Sequence, residues 1–315
     1  IMIIFVISLI SFLVSLITSD NTKKDIQYNL SVTTHHMADK MSVYMWSRGS
    51  EIQMLSEMDL IRNQRSTSDI QALLDSLKHN IPAFSWVGVT DNKGQVLAAT
   101  DGNLVGQSIA ERPVFQKGHE GPFFGDVHDA VLLAKLLPAP SSGGTLRFVD
   151  ISFPLKDDQG NTTGVIAAHM SWEWANEVKD TILGTDNASR HIDILVLSPK
   201  DHAVLIGPDD MVGKTLSLET LDAITPDFIK AAIANGHPPD SKDQAPAAPP
   251  SEPPSSSGMT TSALGEEKWS DGKTYLTSVS VEQGSKDYPG IGWIIVARQP
   301  VDTAYELVRT LQLIL

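Results

Sequence analysis

Residues 86–109, WVGVTDNKGQVLAATDGNLVGQSI, and residues 193–216, DILVLSPKDHAVLIGPDDMVGKTL, align without a gap at an offset of 107 positions. Val89 falls on Val196, Lys93 on Lys200, Leu97 on Val204, and Val105-Gly106 on Val212-Gly213. Each copy is an apolar run, a polar turn, a second apolar run, then an acidic turn and Val-Gly. β-branched residues punctuated by Asn, Asp, Gly and Pro spell a hairpin. A stretch seen twice, at a spacing longer than a solenoid unit, predicts two similar modules in tandem rather than an array.

Working outward, residues 20–64 repeat apolar residues at helical spacing. Ile26, Leu30, Thr33, Met37, Met41 and Tyr44 form a stripe that Ile52, Leu55 and Met58 resume. No proline interrupts it, so 20–66 reads as one long stalk helix, with one face on the sheets and another available to a second subunit. Before it, residues 1–18 carry no charge, and eighteen residues in a helix span about 27 Å, close to a bilayer core. A transmembrane helix is expected at 1–19. A cleaved signal peptide is the rival, but its apolar core is shorter.

Ser66 to Asp69 offer N-cap residues for a second helix ending near Asn80. The first hairpin follows at 84–100, and 107–137 reads as a loop-rich excursion. Strands resume at 146–155 and 164–174, which fits a five-stranded antiparallel sheet with flanking helices. The second module repeats the hairpin from Ile192, with a helix at 218–235 and strands at 273–282 and 291–298. Residues 236–262 are dominated by Pro, Ser, Ala and Gly, too poor in large apolar residues to order themselves, and read as a disordered loop. A helix at 301–315 turns wholly apolar. Because the chain also starts at Ile1 rather than Met, a longer protein with a second span after Leu315 is expected. The modules are placed at 67–183 and 184–300.

Composition excludes several classes. Among 315 residues, 24 Lys and Arg face 38 Asp and Glu, a formal net charge of -14. Without a basic stripe the chain is a poor partner for nucleic-acid phosphates. No cysteine is present, so disulfides and thiolate chemistry are excluded. No phosphate-binding, dinucleotide, metalloprotease or serine-hydrolase motif occurs, and no catalytic residue is assigned. No cofactor is expected, and Asp126, His128 and Asp129 match no specific metal motif by their spacing.

Three stretches, ATDGNLVGQSIAERPVFQKG, GVIAAHMSW and GWIIVARQPVDTA, resemble the double Cache (dCache) extracellular sensor domains of bacterial receptors. The resemblance covers nearly everything from Asp20 to Tyr305. It implies an α+β fold of two tandem PAS-like modules. It also implies a small-molecule ligand in the membrane-distal module, a homodimer through the stalk, and a periplasmic sensor anchored in the bacterial inner membrane. The cytoplasmic output is open between a diguanylate cyclase, which HMSWEW at 169–174 resembles most, a chemoreceptor and a histidine kinase. A ligand-free interaction module is the alternative from another class.

The family's amino-acid-binding branch carries an aromatic, then Arg-x-Trp-Tyr, then a later Asp. Arg112 matches the arginine, while Gln107, Val114-Phe115 and His169 stand at the other positions. Those departures remove most of the grip on an α-ammonium and argue against an α-amino acid. Arg112 remains suited to a carboxylate or phosphate. Trp86, Phe115 and Phe124 are candidates for the pocket wall, and Asp126, His128, Arg147 and His169 for its polar contacts; core packing and surface ion pairs are the plain alternatives for each.

Overall fold

The Val-Gly turns of the two repeated stretches close with corresponding hydrogen bonds, whose acceptors in the second copy lie one residue later than the gap-free alignment places them, so that Val204 stands where Val96 does and not Leu97. Gly106 N donates to Val96 O and Ile109 N to Gly94 O; Gly213 N donates to Val204 O and Leu216 N to His202 O. Both turn glycines sit at positive φ, +78° and +80°, a conformation that side chains with a Cβ rarely adopt. The computed structural model describes residues 2–129, 133, 136–137, 145–217 and 263–306, with side chains from Ile17 onward except those of 19, 263 and 264. The helix expected at 218–235, the loop at 236–262 and the apolar end at 307–315 lie outside the described residues, as do the side chains of 2–16. Among the described residues no helix is long and apolar enough to cross a membrane.

Helix α1 (Met2–Glu57) and the short helix α2 (Asp59–Arg62) precede two antiparallel five-stranded sheets. The first has the order β2-β1-β5-β4-β3, from β1 (Phe84–Thr90), β2 (Val96–Ala99), β3 (Phe123–Asp129), β4 (Arg147–Lys156) and β5 (Thr162–Ser171). The second has the order β7-β6-β10-β9-β8, from β6 (Asp193–Leu197), β7 (Val204–Ile206), β8 (Ala263–Lys268), β9 (Thr274–Val281) and β10 (Ile294–Pro300). Strand for strand the two orders are the same. Two modules with the same sheet topology are what the repeat predicts, and the α+β architecture agrees with the PAS-like topology that the resemblance implies.

Two elements correct the reading of 107–137 as loop. Pro113 occupies the first turn of helix α4 (Pro113–Glu120), where its missing N–H costs nothing, and β3 follows directly. In the second sheet, β8 pairs with β9 from Ala263↔Val279 to Lys268↔Thr274, an edge strand that the sequence did not suggest.

The chain divides into two units. One comprises 42–177 with 284–291, the other 1–41, 178–283 and 292–315. In the first unit both faces of the sheet are covered. On one face Val87, Val89, Val149, Ile151, Ala168 and Met170 are buried. Gly49 of α1 lies on this side, where a Cβ would come within 2.7 Å of the Phe124 ring. On the other face α4 packs on β4 and β5. The approach is close at Gly118, and Ser152 Oγ donates to Val114 O at 2.7 Å. There Trp86, Val96, Leu104, Ile109, Val114, Phe115, Phe148, Val165 and Ala167 form one apolar cluster. Helix α3 (Thr67–Asn80), capped by Ser66 as expected, packs on β1 and β2. In the second unit the core comprises Leu195, Leu197, Val204, Trp269, Val279, Ile294 and Val296. On its α1 side the buried Thr34 hydroxyl meets Ser278 Oγ at 3.1 Å and Ser280 Oγ at 2.9 Å.

Gly164 of β5 has no room for a side chain, since a Cβ would lie 2.0 Å from Thr90 O, a backbone atom that must move. Gly121, at extended φ, has open space around it. Gly164→Ala is expected to cost about 1–3 kcal/mol and Gly121→Ala less than about 0.5 kcal/mol. Urea unfolding followed by tryptophan fluorescence measures both; equal midpoints would contradict the packing.

Candidate functional site

In an antiparallel sheet, side chains alternate between faces, and directly paired residues share one. Trp86 pairs with His169, and His169 with Asp150. Those three therefore stand in a row across β1, β5 and β4, on the face that also carries Phe148 and Ser152. Asp150 is a carboxylate in a strand whose other central residues are buried, and its side chain is 8% exposed.

His128 reaches the same face through an irregularity. Phe124 pairs with Ile151 and His128 with Phe148, so four steps along β3 match three along β4. The extra residue is a β-bulge between Gly125 and His128, and one extra residue exchanges the two faces for everything beyond it. Phe124 consequently faces α1, while His128 turns to the opposite side. Gly125, paired with Asp150, leaves space for that carboxylate, because a Cβ there would lie 3.0 Å from the Asp150 Cβ.

The result is a convergence on one atom. His128 Nε2 lies 2.8 Å and His169 Nδ1 2.5 Å from the same oxygen, Asp150 Oδ1. The His169 ring is stacked on Phe148 and tilted against Trp86, each at 5.4 Å between centroids. His128 Nδ1 also contacts Asp129 O at 3.2 Å. Burial alone would raise the Asp150 carboxyl's pKa, but the charge of His169 and the hydrogen bonds from both rings outweigh it and hold the acid well below the usual carboxylate range. For His128, burial pulls downward, and the hydrogen bond and charge of Asp150, aided by Asp129, raise the ring above its ordinary value.

The other candidates are distributed as follows. Trp86 and Phe115 are buried in the apolar cluster on this face, and Trp86 Nε1 donates to Asn103 O at 3.0 Å. Arg112 is the half-buried N-cap residue of α4, and among the described residues its guanidinium makes no hydrogen bond or ion pair. Asp126 sits in the bulge, where its carboxylate accepts from Val127 N at 2.7 Å. Arg147 is out of phase with Phe148 and Asp150 and pairs with Asp129 at 3.3 Å. Phe124 lies against Gly49 and meets Phe153 and Tyr288 edge-on, away from the His169 face. Asp150 and Phe148 were not singled out from the sequence. The signal available was a lone carboxylate inside the otherwise apolar run RFVDISFPL, since a buried charge requires partners.

No protein-family model matches the chain, and no curated protein does. Solved structures share its fold. The periplasmic sensory domain of the Campylobacter jejuni chemoreceptor Tlp1 superposes with a TM-score of 0.57 at 13% identity, over 90% of this chain and 98% of that one. The extracellular domain of the putative histidine kinase rpHK1S-Z16 gives 0.56 at 14%, over 87% and 94%. The ligand-binding domain of the Pseudomonas fluorescens chemoreceptor CtaA, in complex with L-leucine, gives 0.54 at 17%, over 91% and 99%. The fold is thus that of extracytoplasmic dCache-type sensor domains.

Replacing Asp150 by Ala removes the acceptor shared by two rings. That change is expected to cost about 1–3 kcal/mol. Asp129→Ala breaks the partly exposed pair with Arg147, leaves the Asp150 contacts in place, and is expected to stay within about 1 kcal/mol. Chemical denaturation of both variants tests the difference, and an Asp150→Ala protein as stable as the parent would show that the cluster is not formed.

Proposed function

We propose that this chain is the ligand-sensing region of a bacterial transmembrane signalling receptor, a binding module and not a catalytic one. Residues 1–19 anchor it in the inner membrane, and the two modules lie in the periplasm as a homodimer along α1. A small molecule binds the first unit, the membrane-distal one, and the signal passes to a cytoplasmic output domain. The observation that carries this reading is the fold match to sensor domains over nine tenths of the chain, joined to a polar cluster on a covered face of the first sheet.

Arg112 supports an anionic ligand. Its guanidinium has no partner among the described residues, and the planar fork matches a carboxylate or phosphate. The neighbour crystallised with L-leucine shows that a dCache-type fold can hold an amino acid. Here Val114, Phe115 and His169 replace the groups expected to grip an α-ammonium, so a carboxylate lacking that amine fits better.

A thermal-shift screen of the purified chain against small mono- and dicarboxylates, phosphate esters and amino acids tests the reading. A ligand that binds only the native state raises the melting temperature saturably. The expected outcome is such a rise with an anionic compound, and an affinity at least about tenfold weaker in Arg112→Ala. Unchanged affinity in that variant would remove Arg112 from the site. A screen in which no compound gives a saturable rise would favour a ligand-free interaction module.

A further inference from the structure

We infer that His128, Asp150 and His169 form a binding site for one divalent transition-metal ion, for which Zn²⁺ is the natural probe. The inference rests on these side chains alone and would stand if the sensor reading failed. Among the described residues they are the one group of three His, Cys, Asp or Glu side chains whose ligand atoms gather in this way, all within 4.8 Å of one another.

The donor set selects the class of ion. Two imidazole nitrogens with one carboxylate oxygen suit Zn²⁺ and its neighbours, whereas Ca²⁺ and Mg²⁺ take oxygen ligands. The dimensions also fit. With bonds of about 2.0–2.1 Å, donors around a tetrahedral ion stand roughly 3.4 Å apart. The two contacts to Asp150 Oδ1, at 2.8 and 2.5 Å, need to open by less than about 1 Å. Side-chain rotation supplies that, because His128 lies on an edge strand and is 42% exposed.

Orientation around the cluster is that of metal-binding histidines. A carbonyl can only accept, so the His128 ring places a proton on Nδ1 toward Asp129 O. In the neutral ring Nε2 then presents a lone pair, and that lone pair faces a carboxylate oxygen. Two acceptors at 2.8 Å require something positive between them, either a second ring proton or a cation. Metal-bound histidines commonly donate their other N–H to a backbone carbonyl in this manner. His169 is held by Trp86 and Phe148, so its Nδ1 is aimed before any ion arrives. Three protein donors leave one tetrahedral position for water or an anionic ligand.

The test uses the metal alone. The chain is stripped with chelator, and Zn²⁺ is titrated in competition with a chromophoric chelator. One ion per chain is expected, with affinity about 100-fold or more weaker in His128→Ala and in His169→Phe, since losing a ligand should cost at least as much as losing an outer partner. His128→Ala alters an exposed side chain, and His169→Phe keeps a ring between Trp86 and Phe148, so both are expected to fold, which circular dichroism checks. His36→Ala, an exposed change on α1, should leave binding unchanged. Absence of stoichiometric binding would overturn the inference in favour of a proton-bridged histidine pair. Binding that His128→Ala does not weaken would overturn it as well, placing the ion elsewhere.

Discussion

The side chains of a strand alternate between two faces, and in the first unit both faces of the sheet are covered, so the Asp150 carboxylate can only be accommodated against other side chains. Moving an unpaired carboxylate from water into such a place is prohibitively costly, and it must find partners there. Strand pairing supplies one of them, His169, directly opposite on β5. The other cannot be supplied by regular pairing, because a β3 continuing in register from Phe124 would turn position 128 toward α1. The extra residue between Gly125 and His128 resolves this. Much of the first unit follows from that arrangement: a glycine opposite Asp150, aromatic rings bracketing His169, and an exposed histidine completing the group from the edge.

The second sheet shows what the same topology does without that demand. The corresponding face carries Leu195, Leu197, Val279, Ile294 and Val296, and toward one end of it stands the buried Arg298. It donates to Asp193 at 3.0 Å, and its guanidinium lies 4.4 Å from the Trp269 ring centroid and 4.3 Å from that of Tyr275. A cation already paired and covered by two aromatic faces is satisfied within the fold. In the first unit the charged group is a carboxylate whose partners include a titratable ring open to solvent. Duplication supplied one scaffold twice, and among the described residues only the first copy carries a His-Asp-His group.

What the sequence disclosed follows the same division. The duplicated hairpins were legible because their strands are β-branched and their turns need Gly and Asp; the alignment at 107 positions carried the architecture with it, although β7 lies one residue out of that alignment. The edge strands at the other end of each sheet, β3 and β8, were not. β3 reads FFGDVHD and β8 reads ALGEEK, runs paired on one side only and marked by glycine and charge, which is how edges are kept from further pairing. The candidate site was half legible for a related reason. His128 stood out in the polar group Asp126, His128 and Asp129, and His169 as a polar residue on a predicted strand, but their common partner lay in a third strand, and only the register joins 128, 150 and 169. The face of Phe124 was equally out of reach, since the bulge that separates it from His128 changes no hydrophobic pattern.

The placement of the three side chains also bears on how occupancy could be sensed. A bound group shifts an equilibrium only by the difference in its affinity for the two conformations. Asp150 and His169 lie on neighbouring central strands and are held by the sheet, so they meet a ligand in much the same way in any conformation that keeps the sheet intact. His128 differs, because its approach depends on an edge-strand irregularity and on a ring partly open to water. Under the proposed sensor role, a cation or ligand group held by His128 together with the central pair would favour the conformation in which the bulge presents the ring inward, and the free energy available for signalling would be the share of binding that His128 contributes. Binding to the central pair alone would hold the ligand and transmit little.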